Sequence, residues 1–258
     1  EERLNHQNKL NEIGDKRDKL AIKLAKLKLD RNFKRKEVYL ELMNDVREMG
    51  DKVAIKVTDD SSPSVEKRMK KMKIGGFYPR EWVENSNMTP MKLVALRPKG
   101  SAYKYVRAYA TGEVQYTISG TRSVRTGTFN VSANEDYTSD SVYIHEYGHR
   151  MEDTNPKVME LQKQFFERKT AGMKLTKLSE YYKNSNYRAN EVFRPKNDGT
   201  EWLSAYMGKE YKRQNNGEYY GFELLTMGIQ SIVDGYQGNL EEKDEEMFHF
   251  ILGMLAGA

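Results

Sequence analysis

Apolar residues recur at three- and four-residue intervals through Leu10, Ile13, Leu20, Leu24 and Leu27, and again through Val38, Leu42 and Val46. That spacing predicts one long helix or a helical hairpin over residues 1 to about 50, with Lys and Arg on the remaining faces. Ile13, Leu20 and Leu27 fall seven apart, the period of a short coiled-coil seam. Gly50 offers a stop. Residues 52–57 alternate like a strand, 59–63 read as a turn, and a basic helix over 64–73 is expected to end at Gly75-Gly76. The aromatic run through Phe77, Tyr78 and Trp82 reads as the anchor of a second unit. The chain therefore divides into a basic helical arm with its linker (1–75) and a larger domain (77–258).

From residue 91 the period drops to two. Strands are expected at 91–96, 104–110, 113–119 and 128–132, with Thr111-Gly112 as a tight turn, which together make a β-meander. Helical spacing returns at 141–153, over much of 157–190, at 222–233 and at 244–255. Between the second and third of these lies a stretch, 195–221, rich in tyrosine and carrying Gly199, Gly208, Gly217 and Gly221; it reads as an ordered loop or lid. The expected fold class is α+β, a small, mostly antiparallel sheet packed on helices and preceded by the arm.

Composition narrows the chemistry. Among 258 residues there is no cysteine, which removes disulfides, thiol nucleophiles and thiolate metal ligands, and leaves His, Asp and Glu to bind any metal. No run of about 18 apolar residues appears, so no membrane-spanning helix is expected. No secretory leader is visible, and the opening residue is Glu1, which reads as a piece of something longer or a processed chain. Residues 1–80 carry 21 Lys+Arg against 14 Asp+Glu, whereas the rest carries 22 against 24. All the net basicity belongs to the arm. Nucleic acid is one partner for such a region, but a solvated lysine-rich helix is the favoured reading, and an arm of this kind is expected to mediate self-association or to pack on its own domain.

Only four histidines occur, and two stand in His145-Glu146-Tyr147-Gly148-His149. On a helix, histidines four apart project from one face and reach one metal ion. Glu146 is placed to take a proton from a metal-activated water rather than to bind the metal. Gly148 in mid-helix costs roughly 1 kcal/mol against alanine, and close approach of another segment would give it a reason. A catalytic zinc site needs a third protein ligand. Glu223 is the choice, because a lone carboxylate opening an apolar helix is costly unless paired or metal-bound; Glu218, Glu191 and Asp153 are fallbacks. His6 and His249 lie in segments that make neither an obvious partner.

With those residues in hand, the chain resembles the zincin-like metallopeptidases whose metal is held by two His and one Glu. More narrowly it resembles the zincin-like domains encoded in phage and prophage structural modules. The resemblance spans roughly residues 77–258, and rests on His145–His149 and on Phe222-Glu223-Leu224-Leu225-Thr226-Met227-Gly228 followed by the acidic 244–248 helix. It implies His145, His149 and Glu223 as zinc ligands, Glu146 as general base, a protein or peptide substrate, and a host-cytoplasmic or virion location. Two departures stand out: the gap from His149 to Glu223 is long, and Met227 occupies the position of the carboxylate expected one turn after the ligand. Asp153 or a backbone carbonyl is then left to orient the histidines. A tyrosine near Glu223 is expected to stabilise the oxyanion, with Tyr219 and Tyr220 first and Tyr206 and Tyr236 behind them. Strand 128–132 is expected to be the sheet edge that pairs with substrate. The alternative function is a phage-type assembly protein that keeps the fold with little or no protease activity. A transferase acting on a nicotinamide dinucleotide, suggested by Arg107 and Thr126-Gly127-Thr128, is the remote third reading.

Overall fold

The structure, a computed structural model, describes residues 11, 35–96, 109–115, 124–132, 139–183, 187–211, 221–236 and 238–257. The coiled-coil seam, His6, Arg107, Glu218, Tyr219 and Tyr220 lie outside the described residues.

The fold is mixed α+β and mostly helical. Three helices, α1 (Arg35–Val46), α2 (Pro63–Met72) and α3 (Arg80–Ser86), precede a sheet of β1 (Lys92–Leu96), β2 (Tyr109–Gln115) and β3 (Val124–Ser132). Next come α4 (Asp140–Thr154) and α5 (Pro156–Thr170). A strap follows with β4 (Thr176–Lys177), α6 (Leu178–Tyr181), β5 (Val192–Phe193) and β6 (Lys209–Glu210). The chain closes with α7 (Leu224–Asp234), α8 (Leu240–Lys243) and α9 (Glu245–Gly257).

Helix α1 is a core element and not only a solvated arm. Val38, Tyr39 and Met43 are buried in the same cluster as residues of α4, α7 and α9. The Tyr39 hydroxyl donates to the Phe77 carbonyl at 2.6 Å, and Arg35 reaches the Ile232 carbonyl and the Glu241 carboxylate, both at 3.0 Å. The apolar positions of 35–46 thus mark a face that packs against the end of α7.

The predicted strand at 52–57 does not form. Gly50–Lys52 is a 3₁₀ turn, and only Val57 makes a bridge, parallel to Met91. The side chain of Asn87 stands in for a strand partner: it accepts from Lys56 N and donates to Ala54 O, each at 2.8 Å. Val53, Ile55 and Val57 still pack against the core, so the alternation reports one-sided burial without a ladder.

The sheet departs from the expected meander. Its order is β1-β3-β2, with β1 parallel to β3 (Lys92↔Thr128 through Leu96↔Ser132) and β2 antiparallel to β3. The predicted turn at Thr111-Gly112 falls in the middle of β2, where Gly112 faces Gly127 across the ladder. Thr-Gly lacks the Asn or Asp that makes an X-Gly pair a strong hairpin turn, and two facing glycines need no room for side chains. Thr128 to Asn130 are paired on both sides, so the segment expected at the edge is central. The outer side of β1 is occupied by bonds from Ser62 N to Leu93 O (2.8 Å) and from Met91 N to Lys56 O (3.1 Å). Among the described residues this leaves β2 as the edge strand.

Helix α7 lies at the centre and is buried at every position from Leu224 to Val233. Two glycines let helices approach closely there. A Cβ on Gly148 would sit 2.9 Å from Thr226 Cγ2, and one on Gly228 would sit 2.5 Å from Ile251 Cγ1. The expectation for Gly148 holds: it marks the crossing of α4 with α7.

Candidate metal centre

Helix α4 begins after Ser139, which is extended, and carries Asp140 in its first turn, where a negative charge complements the helix dipole. Arg68 at 3.1 Å and Lys36 at 3.4 Å tie that carboxylate to the preceding helices. At the other end Asn155 Nδ2 donates to the Met151 carbonyl at 2.8 Å, and Pro156 starts the next helix. Within this frame His145 and His149 share one face, with ring centroids 5.1 Å apart and planes at 83°.

Glu223 stands at the start of α7 and is 1% exposed. Its Oε2 lies 3.2 Å from His145 Nε2 and 3.5 Å from His149 Nε2. One ligand atom from each of the three residues lies within 4.8 Å of the others, and among the described residues this is the single grouping of that kind. Metal–ligand bonds near 2.1 Å at tetrahedral angles place donor atoms about 3.4 Å apart. The observed separations fit that geometry, and the two nitrogens and one oxygen are the donor set of an open catalytic zinc site. The residues present therefore fit the metal.

Burial favours the neutral form of the His149 imidazole, but the Glu223 and Glu152 carboxylates outweigh it and hold His149 well above the ordinary histidine range. Burial likewise pushes the Glu223 carboxyl up, and the two imidazoles outweigh it and hold it well below the ordinary carboxylate range.

The orienting group that sequence reasoning assigned to Asp153 or a carbonyl is instead Glu152. Its Oε2 lies 2.9 Å from His149 Nδ1, three residues away on the same face. Its Oε1 accepts from Gln162 Nε2 at 2.7 Å and from Phe222 N at 2.9 Å. Glu152 is 2% exposed and Gln162 is fully buried. With Nδ1–H donated to a carboxylate, Nε2 is the nitrogen left to bind a metal.

Glu146, the sequence-predicted base, is 5% exposed and sits beside His145 in α4. Glu191 is committed elsewhere, pairing with Lys209 at 3.2 Å and accepting from Arg188 N at 2.9 Å. Neither it nor Asp153 joins the ligand group. His249 faces Glu245 on α9, outside the group.

Of the predicted tyrosines, Tyr236 lies beyond the far end of α7, an 11-residue helix spanning roughly 16 Å. The Tyr206 hydroxyl accepts from Lys209 Nζ at 2.8 Å. Among the described residues the tyrosine that reaches the site is Tyr211, which sequence reasoning missed: its hydroxyl donates to Glu223 Oε1. Lys209 Nζ lies 4.6 Å from the centre of its ring. Burial, followed by the neighbouring Glu223 charge, raises the Tyr211 phenol well above its ordinary value, so it stays a neutral donor.

Comparison with known proteins finds no family model, no curated protein and no solved structure that matches this chain.

Proposed function

We propose that this protein is a zinc-dependent peptide-bond hydrolase of the zincin kind, with His145, His149 and Glu223 as ligands. The observation that carries the reading is the convergence of three donor atoms within 4.8 Å of one another, with Glu223 Oε2 3.2 and 3.5 Å from the two imidazole nitrogens, beside a buried glutamate one residue after the first histidine. A bound zinc ion supplies a Lewis acid for the scissile carbonyl and acidifies a neighbouring water. Glu146 accepts the proton of the attacking water and delivers it to the leaving amine. Among the described tyrosines, Tyr211, whose hydroxyl already donates to Glu223, is the donor for the developing oxyanion. Edge strand β2 offers its outer side to an extended peptide, since its described pairing is with β3 alone.

Elemental analysis of the unmodified chain beside His149→Ala and Glu223→Ala tests the metal site. About one zinc per chain is expected in the parent, with a large loss in both variants. A screen of peptide substrates with Glu146→Gln as control tests the chemistry. Zinc bound without cleavage of any peptide would refute the hydrolase and favour an assembly role. Zinc retained in Glu223→Ala but lost in His149→Ala would refute the third ligand.

A further inference from the structure

Glu223 occupies the N-cap of α7, yet its side chain makes no capping hydrogen bond to its own helix. An N-cap carboxylate ordinarily accepts from the backbone N–H two or three positions on, here Leu225 or Thr226. A carboxylate used that way would turn along its own helix and away from the histidines. In this protein the Leu225 N–H is taken instead by Gln162 Oε1, at 2.9 Å, from helix α5. The other end of the same carboxamide donates to Glu152 at 2.7 Å, and Glu152 accepts from Phe222 N at 2.9 Å. The backbone amides on both sides of Glu223 are thereby held by side chains of α4 and α5, across 70 and 63 residues of sequence.

We infer that Gln162 is a positioning residue that caps α7 in place of Glu223, releasing the Glu223 carboxylate toward His145 and His149 while fixing Glu152 against His149. The inference rests on the metal-site reading and deepens it. One fully buried carboxamide sets the third ligand through its oxygen and the second histidine through its nitrogen. Both ends of the carboxamide are engaged, the nitrogen with Glu152 and the oxygen with the Leu225 amide. Removing the side chain's polarity would leave the Leu225 amide to recapture Glu223.

The test uses the full chain, stripped by chelation and titrated with zinc against a chromophoric chelator. Gln162→Met keeps the volume and removes both hydrogen-bonding functions; zinc affinity is expected to fall roughly 10- to 100-fold. Thr170→Val is the structural control, because it removes a buried hydroxyl that donates to Phe166 O at 2.8 Å on the same helix. It should lower the unfolding midpoint and leave zinc affinity unchanged. Unaltered affinity in Gln162→Met, or equal losses in both variants, overturns the inference while leaving the metal site standing. Absence of zinc uptake by the parent overturns the metal reading itself, and the inference with it.

Should Gln162→Met not fold, amide exchange in the parent decides. The Leu225 amide is expected to be as protected in the metal-free protein as an interior amide such as that of Ile229. Protection that arises only on adding zinc would show that the metal, not Gln162, organises the start of the helix, and would overturn the proposal.

Discussion

Gly148→Ala tests whether the crossing of α4 and α7 sets the site, because the substitution has two opposed effects of known size. In an isolated helix it would stabilise by about 1 kcal/mol, the propensity difference between the two residues. Here the added Cβ would lie 2.9 Å from both Thr226 Cγ2 and Tyr78 Oη. Neither neighbour is a loose side-chain end. Tyr78 is fully buried, donates to Ile144 O at 2.5 Å, and packs edge-on to Tyr147 with centroids 5.6 Å apart. Thr226 is fully buried and donates to Glu223 Oε2 at 3.3 Å. Overpacking of a filled core costs about 1–3 kcal/mol, which outweighs the propensity gain, so a net loss of roughly 1 kcal/mol is expected. For a chain of this size that lowers the midpoint by about 2–4 °C.

The source of the loss is separable by a double-mutant cycle. Tyr78→Phe removes one of the two colliding atoms, and the Ile144 carbonyl it releases lies inside a helix, so its own cost is about 1 kcal/mol. Gly148→Ala should therefore cost less in the Tyr78→Phe background by at least about 0.5 kcal/mol, the lower end of coupling between touching residues. Urea unfolding of the metal-free chain, followed by the fluorescence of the buried Trp82 and Trp202, measures all four corners. Zinc affinity should also fall in Gly148→Ala, because displacing Thr226 displaces the turn that carries Glu223. Stabilisation by Gly148→Ala, or an undiminished cost in the Tyr78→Phe background, would refute the close-packing argument.

Three further outcomes are expected. In Glu152→Gln the amide oxygen stays with the Gln162 and Phe222 donors, so the NH₂ faces His149 Nδ1; the imidazole must carry its proton on Nε2, which nitrogen NMR of the metal-free protein will report, and zinc affinity drops about 10- to 100-fold. Tyr211→Phe should retain zinc and lose peptide cleavage by about 10²-fold or more in kcat, as for other single oxyanion donors; unchanged kcat would remove Tyr211 from the mechanism. The Lys169 hydrogen bond, opposed by partial burial and aided by Arg168, holds the Glu246 carboxyl below its ordinary value of 4.5, so the pair stabilises the fold above that value; the contribution is lost as pH falls below it and through the lowered folded-state pKa, and Glu246→Gln should flatten the acid limb of an unfolding-versus-pH curve.

What could be read from the chain beforehand is what one helical turn determines. His145 and His149 share a face because of their spacing alone, and Gly148 announces a close approach because mid-helix glycine otherwise has no reason to be there. Glu223 could be singled out because a carboxylate is anomalous at the head of a helix that is apolar on every side. The misreadings share a different origin. Tyr211 reaches Glu223 only because β6 pairs with β5 and directs the strap back over the site, and nothing local distinguishes it from the other tyrosines. Asn87 replaces a β-strand for residues 54–56 from 31 to 33 positions away. Strand order in the sheet depends on a parallel crossover that period-two alternation cannot encode, since each strand shows the same alternation whichever neighbour it takes. Glu152 is the instructive intermediate. It lies within one turn of His149, so its contact was available from spacing, but its burial is stabilised by Gln162 and Phe222, which are distant in sequence. A buried carboxylate looks unfavourable until those donors are known. The proposed ligands are thus recognisable from their own segments, while the groups that contact them are supplied by the packing of α5 and the strap against α4 and α7.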